Sequence, residues 1–167
     1  WIAMMGGIAG GADYILIPEE AFDIDKVCEA IKKRKKDAGY AIIVAAEGAK
    51  FKDEEILKDV EKDAFGHVKL GGIGERIAKA IEEKTGFETR STTLGHIQRG
   101  GSPSAYDRVL GTRYGLAAID LVHNKKFGRM VSLQGMKITD VDIKEAVGTL
   151  RTVEKELYDQ TKVFFGD

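Results

Sequence analysis

ADYILIPEEAFDIDKVCEAIKKRKKDAGYAIIVAAEG, residues 12–48, is the stretch from which the fold class is read. It holds two apolar runs, YILI at residues 14–17, closed by Pro18, and AIIVAA at residues 41–46. Both are continuous rather than alternating, the pattern of strands covered on both faces. Between them Asp23 is a good N-cap, Ile24, Val27 and Ile31 recur at helical spacing, and Gly39 is a natural stop. Strand, helix, strand with buried strands predicts an α/β fold with a mainly parallel sheet. Ligands of such sheets sit beyond the carboxyl ends of the strands. That rule points to Glu47, at the tip of the second run.

Outward from this unit the alternation continues. Residues 53–63 are charged and read as helical. Ile73, Ile77 and Ile81 mark an amphipathic helix, with Glu75 four residues before Lys79, ending at Gly86. Residues 87–94 alternate like a strand. The loop GHIQRGGSP follows at residues 95–103, then a helix with Ser102 as N-cap and Pro103 first, running to about His123. Residues 129–133 read as a strand, and residues 141–150 and 153–161 as helices. Residues 1–12 read as the end of a buried helix. They begin with Trp1 and carry neither a cap nor the basic leader of a signal peptide, so the expectation is a piece of a longer chain.

The bulk composition is that of an ordinary globular protein, with 167 residues, 43% hydrophobic and 32% charged. A formal net charge of -1 supplies no global field for nucleic acid or an anionic membrane, which leaves local basic clusters as anion sites. No apolar run is long enough to span a bilayer. Cys28 is the single cysteine and cannot pair within the chain, which fits a reducing cytoplasm. His67 and His123 lack ligand spacing, and no metal motif is present. The basic run at residues 32–36 reads as a solvated helix face.

The chemistry concentrates at residues 90–108. Arg90, His96 and Arg99 precede a Gly100-Gly101 turn that feeds a helix N-terminus. Guanidinium and imidazole groups, free backbone N–H groups and a positive dipole end together suit a phosphate. An ordinary strand-to-helix turn with a cap fits the same pattern equally well. Each residue has a plainer rival reading: Glu47 as a solvated strand end, His96 as a turn residue bonding backbone, Arg90 paired with Glu88. Arg108 reads as structural, paired with Asp107 or the sheet.

The full string TRSTTLGHIQRGGSPSAYDR, residues 89–108, resembles the signature segment of the 6-phosphofructokinase family, whose members use ATP or pyrophosphate. GGIAGGADYILIPE, residues 6–19, resembles the segment after that family's sugar-binding Met-Gly-Arg motif, and Glu47 falls at its sugar-binding glutamate. The resemblance covers nearly the whole chain and matches the C-terminal half of the family. It implies a phosphofructokinase-like three-layer sandwich, incomplete here. Residues 1–98 with about 151–167 would form the sugar-phosphate-binding domain, and about 99–150 a segment of the donor-nucleotide-side domain. The implied activity is phosphoryl transfer to the 1-hydroxyl of fructose 6-phosphate, giving fructose 1,6-bisphosphate, a glycolytic step in the cytoplasm.

The resemblance also implies roles. Glu47 would accept hydrogen bonds from fructose hydroxyls, His96 would contact the 6-phosphate, and Arg99 would bind substrate from the same subunit. Arg90 would reach the 6-phosphate in a neighbouring subunit, so a homo-oligomer, dimer or tetramer, is expected. Gly11 and Asp13 resemble effector-site positions, although the lysine-bearing stretch of that site is not matched at Lys35, Lys36 and Asp37. The family's glycine-rich donor loop, Thr-Ile-Asp-Asn-Asp motif and Met-Gly-Arg motif are not in this sequence, and no catalytic base is named. Mg²⁺ and the donor are expected to bind mainly to the missing half. The wording IKEAVGTLRTVEKELY, residues 143–158, resembles the branch that mixes both donors; ATP is expected, with pyrophosphate the alternative. The chain alone is expected to be inactive and to expose apolar surface. A non-catalytic sugar-phosphate sensor is the alternative function. A nucleic-acid module is disfavoured by the near-neutral charge and the lack of aromatics in the loop.

Overall fold

The opening stretch folds as strand, helix, strand in the computed structural model, which describes residues 1–53 and 72–165. β1 (Tyr14–Leu16) and β2 (Ile43–Ala45) pair in parallel, with Tyr14 opposite Ile43 and Leu16 opposite Ala45. α2 (Ile24–Ala38) connects them. Asp23 takes extended backbone and accepts a hydrogen bond from the Asp25 amide at 2.9 Å, which starts the helix. Gly39 at φ 79° ends it in the left-handed conformation that glycine adopts without a Cβ clash. Lys35 and Lys36 in the last turn complement the negative end of the helix dipole.

The chain divides into two units, Trp1–Thr93 with Thr152–Asp167, and Leu94–Arg151. In the first, α1 (Ile2–Gly10) precedes β1, α3 (Ile73–Thr85) follows β2, and α6 (Lys155–Thr161) closes the unit. α3 and α2 meet through Ile73, Ile77, Ala80 and Ile81 on one side and Ile24, Val27, Cys28 and Ile31 on the other. These spacings of three and four put each set on one helix face. Leu16, Phe22, Ala49 and Phe51 complete this core. Ile15 and Ile17 point the other way, into a second core of Met4, Ala12, Val153, Tyr158 and Phe165. Alternate residues of β1 therefore serve opposite faces, and helices cover the sheet on both sides in three layers.

The second unit holds a 3₁₀ turn (Gly95–Arg99), α4 (Ala105–His123), the antiparallel pair β3 (Arg129–Gln134) and β4 (Lys137–Asp142), and α5 (Ile143–Val147). Arg129 pairs diagonally across the hairpin with Asp140. The Arg113 guanidinium donates to the Met136 carbonyl at 2.7 Å and ties α4 to the hairpin tip. No described residue of this unit is buried. Tyr106, Val109, Leu116, Ile119, Val122, Phe127 and Met136 all present apolar surface to solvent.

The structure differs from the sequence reading in four places. Residues 87–94 form no strand among the described residues. The Phe87 and Thr89 amides donate instead to the Thr85 hydroxyl and the Glu82 carboxylate at the end of α3, which removes the donors a ladder needs. α4 begins after Ser104, not Ser102. Residues 137–142, the first part of which went unassigned, form β4; Gly135, at φ 61° in a two-residue loop, supplies the positive φ that such hairpins require. Only Ile143–Val147 of the helix expected over 141–150 is helical. Beyond Asp53, the helix expected over residues 53–63 lies outside the described residues.

Candidate functional site

Glu47 emerges at the carboxyl end of β2, as the ligand rule for parallel sheets requires. The Ala46 amide donates to the Leu16 carbonyl at 2.8 Å, extending the parallel pairing one step. The Ala49 amide then donates to the Ala46 carbonyl at 2.9 Å and closes a turn with Glu47 and Gly48 at its centre. Glu47 is exposed there. Arg90, in the same unit, is also exposed, and its Nε and Nη2 donate to one Glu88 carboxylate oxygen at 3.1 and 2.8 Å. That pair is solvent-facing at both ends and contributes little to stability. It occupies one edge of the guanidinium.

His96 and Arg99 lie in the second unit, on the 3₁₀ turn. In a 3₁₀ helix residues three apart eclipse, so the imidazole and the guanidinium rise from one edge of the turn. Both are exposed, and neither has a hydrogen-bond or ionic partner among the described residues. Two cationic or proton-bearing groups on one edge, uncommitted to protein partners, are suited to an anion with several acceptor oxygens.

The helix start after this turn has two of its amides engaged by the chain itself. Ser104 and Asp107 form a capping box: the Ser104 amide and hydroxyl donate to the Asp107 carboxylate at 2.9 and 2.8 Å, and the Asp107 amide donates back at 3.2 Å. The hydroxyl and amide of Ser104 hold the Asp107 carboxyl below its ordinary value. The positive end of α4 is thus served by the chain's own carboxylate. Asp107 is committed to Ser104, not to Arg108.

Gly11 and Asp13 have internal duties. Gly11, at φ 68°, is the C-cap of α1. Asp13 accepts from Arg34 Nε at 2.6 Å and from the Ile42 amide at 2.8 Å, so one carboxylate joins α2 to the entry of β2. Arg34 was read only as part of a solvated run; a partner 21 positions away carries no sequence signal. Lys35 places its ammonium 3.5 Å from the centre of the Phe87 ring. Cys28 is buried, which raises its thiol pKa and keeps it unreactive. Among the described residues no three His, Cys, Asp or Glu side chains gather to hold a metal ion. Among them, too, no helix is long and apolar enough to cross a membrane.

The model of the phosphofructokinase family matches residues 1–122. A pyrophosphate–fructose 6-phosphate 1-phosphotransferase of Streptomyces coelicolor is 52% identical over 167 residues, covering 99% of this chain and 49% of that protein. An ATP-dependent 6-phosphofructokinase of Corynebacterium efficiens is 45% identical, with 99% and 49% covered. The chain spans about half the length of the curated relatives it matches. The solved pyrophosphate-dependent phosphofructokinase of Nitrosospira multiformis superposes with a TM-score of 0.72 over 99% of this chain and 44% of that one, at 20% identity. That likeness establishes the fold.

Proposed function

The chain belongs to the phosphofructokinase family, and from that premise we propose that it supplies the sugar-phosphate-binding half of a 6-phosphofructokinase. The reaction is phosphoryl transfer to the 1-hydroxyl of fructose 6-phosphate, giving fructose 1,6-bisphosphate, in glycolysis in the cytoplasm. The observation that carries this reading is the pair of uncommitted side chains, His96 and Arg99, on one edge of the 3₁₀ turn. In the proposal His96 takes the 6-phosphate and Arg99 binds substrate within the same subunit. Glu47 accepts from the sugar hydroxyls, and Arg90 reaches the 6-phosphate of a neighbouring subunit in a homo-oligomer. In the proposal residues 1–98 with about 151–167 form the sugar-phosphate domain and about 99–150 belong to the donor side; the chain's two compact units divide near these bounds, after Thr93 and after Arg151, which supports that layout.

The donor, with Mg²⁺, is held mainly by residues outside this chain, as is the base that takes the hydroxyl proton. Relatives named for pyrophosphate reach 50–52% identity and those named for ATP 42–45%, which supports pyrophosphate, the alternative donor, over the expected ATP. An effector bound at Gly11 and Asp13 would have to share the Asp13 carboxylate with Arg34 and the Ile42 amide, which already donate to it. The test is calorimetry and a coupled assay on the whole protein. Fructose 6-phosphate should bind, fructose should bind far more weakly, and turnover should appear with one donor. Equal binding of the two sugars would remove the phosphate grip. A non-catalytic sugar-phosphate sensor uses the same grip and is the second reading. Binding with no turnover on either donor selects it.

A further inference from the structure

We propose that Gly48 is a positioning residue for Glu47, needed because its missing side chain lets the sugar-facing turn lie directly on Pro18. The inference rests on the role proposed for Glu47 and deepens it. Gly48 does not adopt a positive φ, so its backbone is open to any residue and conformational freedom does not explain the glycine. Space does. A Cβ at position 48 would lie 3.1 Å from Pro18 Cγ and 3.4 Å from Pro18 Cβ. Pro18 has no long side chain to swing aside; its φ is fixed, and only a change of ring pucker can shift Cγ.

The two segments are also held together at both ends of this contact. Upstream, the Ala46 amide is bonded to the Leu16 carbonyl at 2.8 Å. Downstream, the Phe22 amide donates to the Lys50 carbonyl at 2.9 Å and the Lys52 amide to the Phe22 carbonyl at 2.8 Å. Ala49 and Phe51 are buried in the core between these points. Pro18 and Gly48 sit midway, so a group added there cannot be relieved by separating the segments without breaking those bonds. The remaining freedom is in the turn closed by the Ala49 amide on the Ala46 carbonyl, which carries Glu47. A shift of a few tenths of an ångström therefore appears at the Glu47 carboxylate.

The experiment compares Gly48→Ala, Pro18→Ala, the double variant and Glu47→Ala in the whole protein. The readout is the KM for fructose 6-phosphate against kcat and the donor KM, or the calorimetric Kd where turnover is absent. A misplacement of 1 Å costs on the order of a hundredfold, so Gly48→Ala should raise the sugar KM about three- to tenfold with kcat and donor KM nearly unchanged. Pro18→Ala removes Cγ, and adding it to Gly48→Ala should return the KM to that of Pro18→Ala alone. If Gly48→Ala does not fold, the double variant is read against Pro18→Ala in its place. A sugar KM unmoved by Gly48→Ala, or left raised in the double variant, overturns the inference while a raised KM in Glu47→Ala leaves the function standing. A KM unmoved by Glu47→Ala overturns the role of Glu47 and the inference with it, and leaves the grip of His96 and Arg99 to its own test.

Discussion

Tyr158, near the C-terminus, donates its hydroxyl to the carbonyl of Ile15 at 2.6 Å, across 143 positions of sequence. The bond is buried, and it meets the chain in the middle of β1, between the two residues that flank Ile15 in the parallel ladder. The same segment is fixed by the Glu19 carboxylate on the Val153 amide at 2.9 Å and by Lys162 on Glu20 at 2.9 and 3.1 Å. Phe165 stacks on Tyr14 with ring centres 4.1 Å apart.

Tyr158→Phe keeps the ring and leaves a buried carbonyl without its donor, which costs roughly 1–2 kcal/mol. Urea unfolding should show that loss. Burial, and then the nearby Glu20 charge, push the phenol pKa well up. The folded state thus holds this proton more tightly than the unfolded one. Its contribution is complete below the free phenol's value of about 10 and is lost as pH rises towards the folded value. The gap between wild type and Tyr158→Phe should narrow above about pH 10 in unfolding curves. A constant gap would show that the phenol does not titrate differently in the two states.

Gly7 on α1 faces Ile15, where an added Cβ would lie 2.8 Å from both Cγ1 and Cδ1. Helix propensity favours alanine by about 1 kcal/mol, while overpacking costs about 1–3. Ile15 is fully buried and cannot swing into space, so overpacking wins. Gly7→Ala should destabilise by about 1 kcal/mol. Adding Ile15→Val, which removes Cδ1, should recover part of that in thermal melts, giving a non-additive pair.

Asp107 is held below its ordinary carboxyl value by the Ser104 hydroxyl and then the Ser104 amide. Its contribution is complete above the unfolded value near 4 and is lost as pH falls through the lower folded value. Asp107→Asn should lower the melting temperature at pH 7, and the difference should shrink below about pH 4. A difference that persists in acid would place its cause outside the carboxylate.

Arg99→Ala removes a charge-assisted bond proposed to reach substrate, worth roughly 1.5–3 kcal/mol. Fructose 6-phosphate binding or turnover should weaken by about tenfold to a few hundredfold. Arg99 has no described protein partner, so the melting temperature should move little. Unchanged kinetics would take Arg99 out of the site. Arg90→Ala should cause a comparable loss, and Glu88→Gln, which frees the guanidinium edge, should not.

Much of the architecture is local in origin and was legible for that reason. Asp23 and Gly39 bound α2, Gly86 ends α3, and the spacing of Ile73, Ile77 and Ile81 marks its buried face, all within a few residues of one another. The hairpin was half missed: Gly135 is a turn signal, but the mixed polar pattern of β4 left residues 137–140 unassigned and residues 141–142 counted with the helix that follows. Residues 87–94 were misread because their amides are taken by Thr85 and Glu82, a competition that alternation does not encode.

The sequence by itself determined the α/β class, both ends of α2, the C-terminus of α3 and the identity of the cationic and carboxylate groups, since caps, glycines and apolar spacing act over one or two turns. Tertiary structure decided which groups are already spent: Asp13 on Arg34 and the Ile42 amide, Asp107 on Ser104, Arg90 on Glu88. It also decided that Gly48 must lie on Pro18 and Tyr158 must reach Ile15. Such relationships, above all those joining residues far apart in the chain, depend on distances of about 3 Å that are fixed only when the layers pack and the polar groups choose among competing partners.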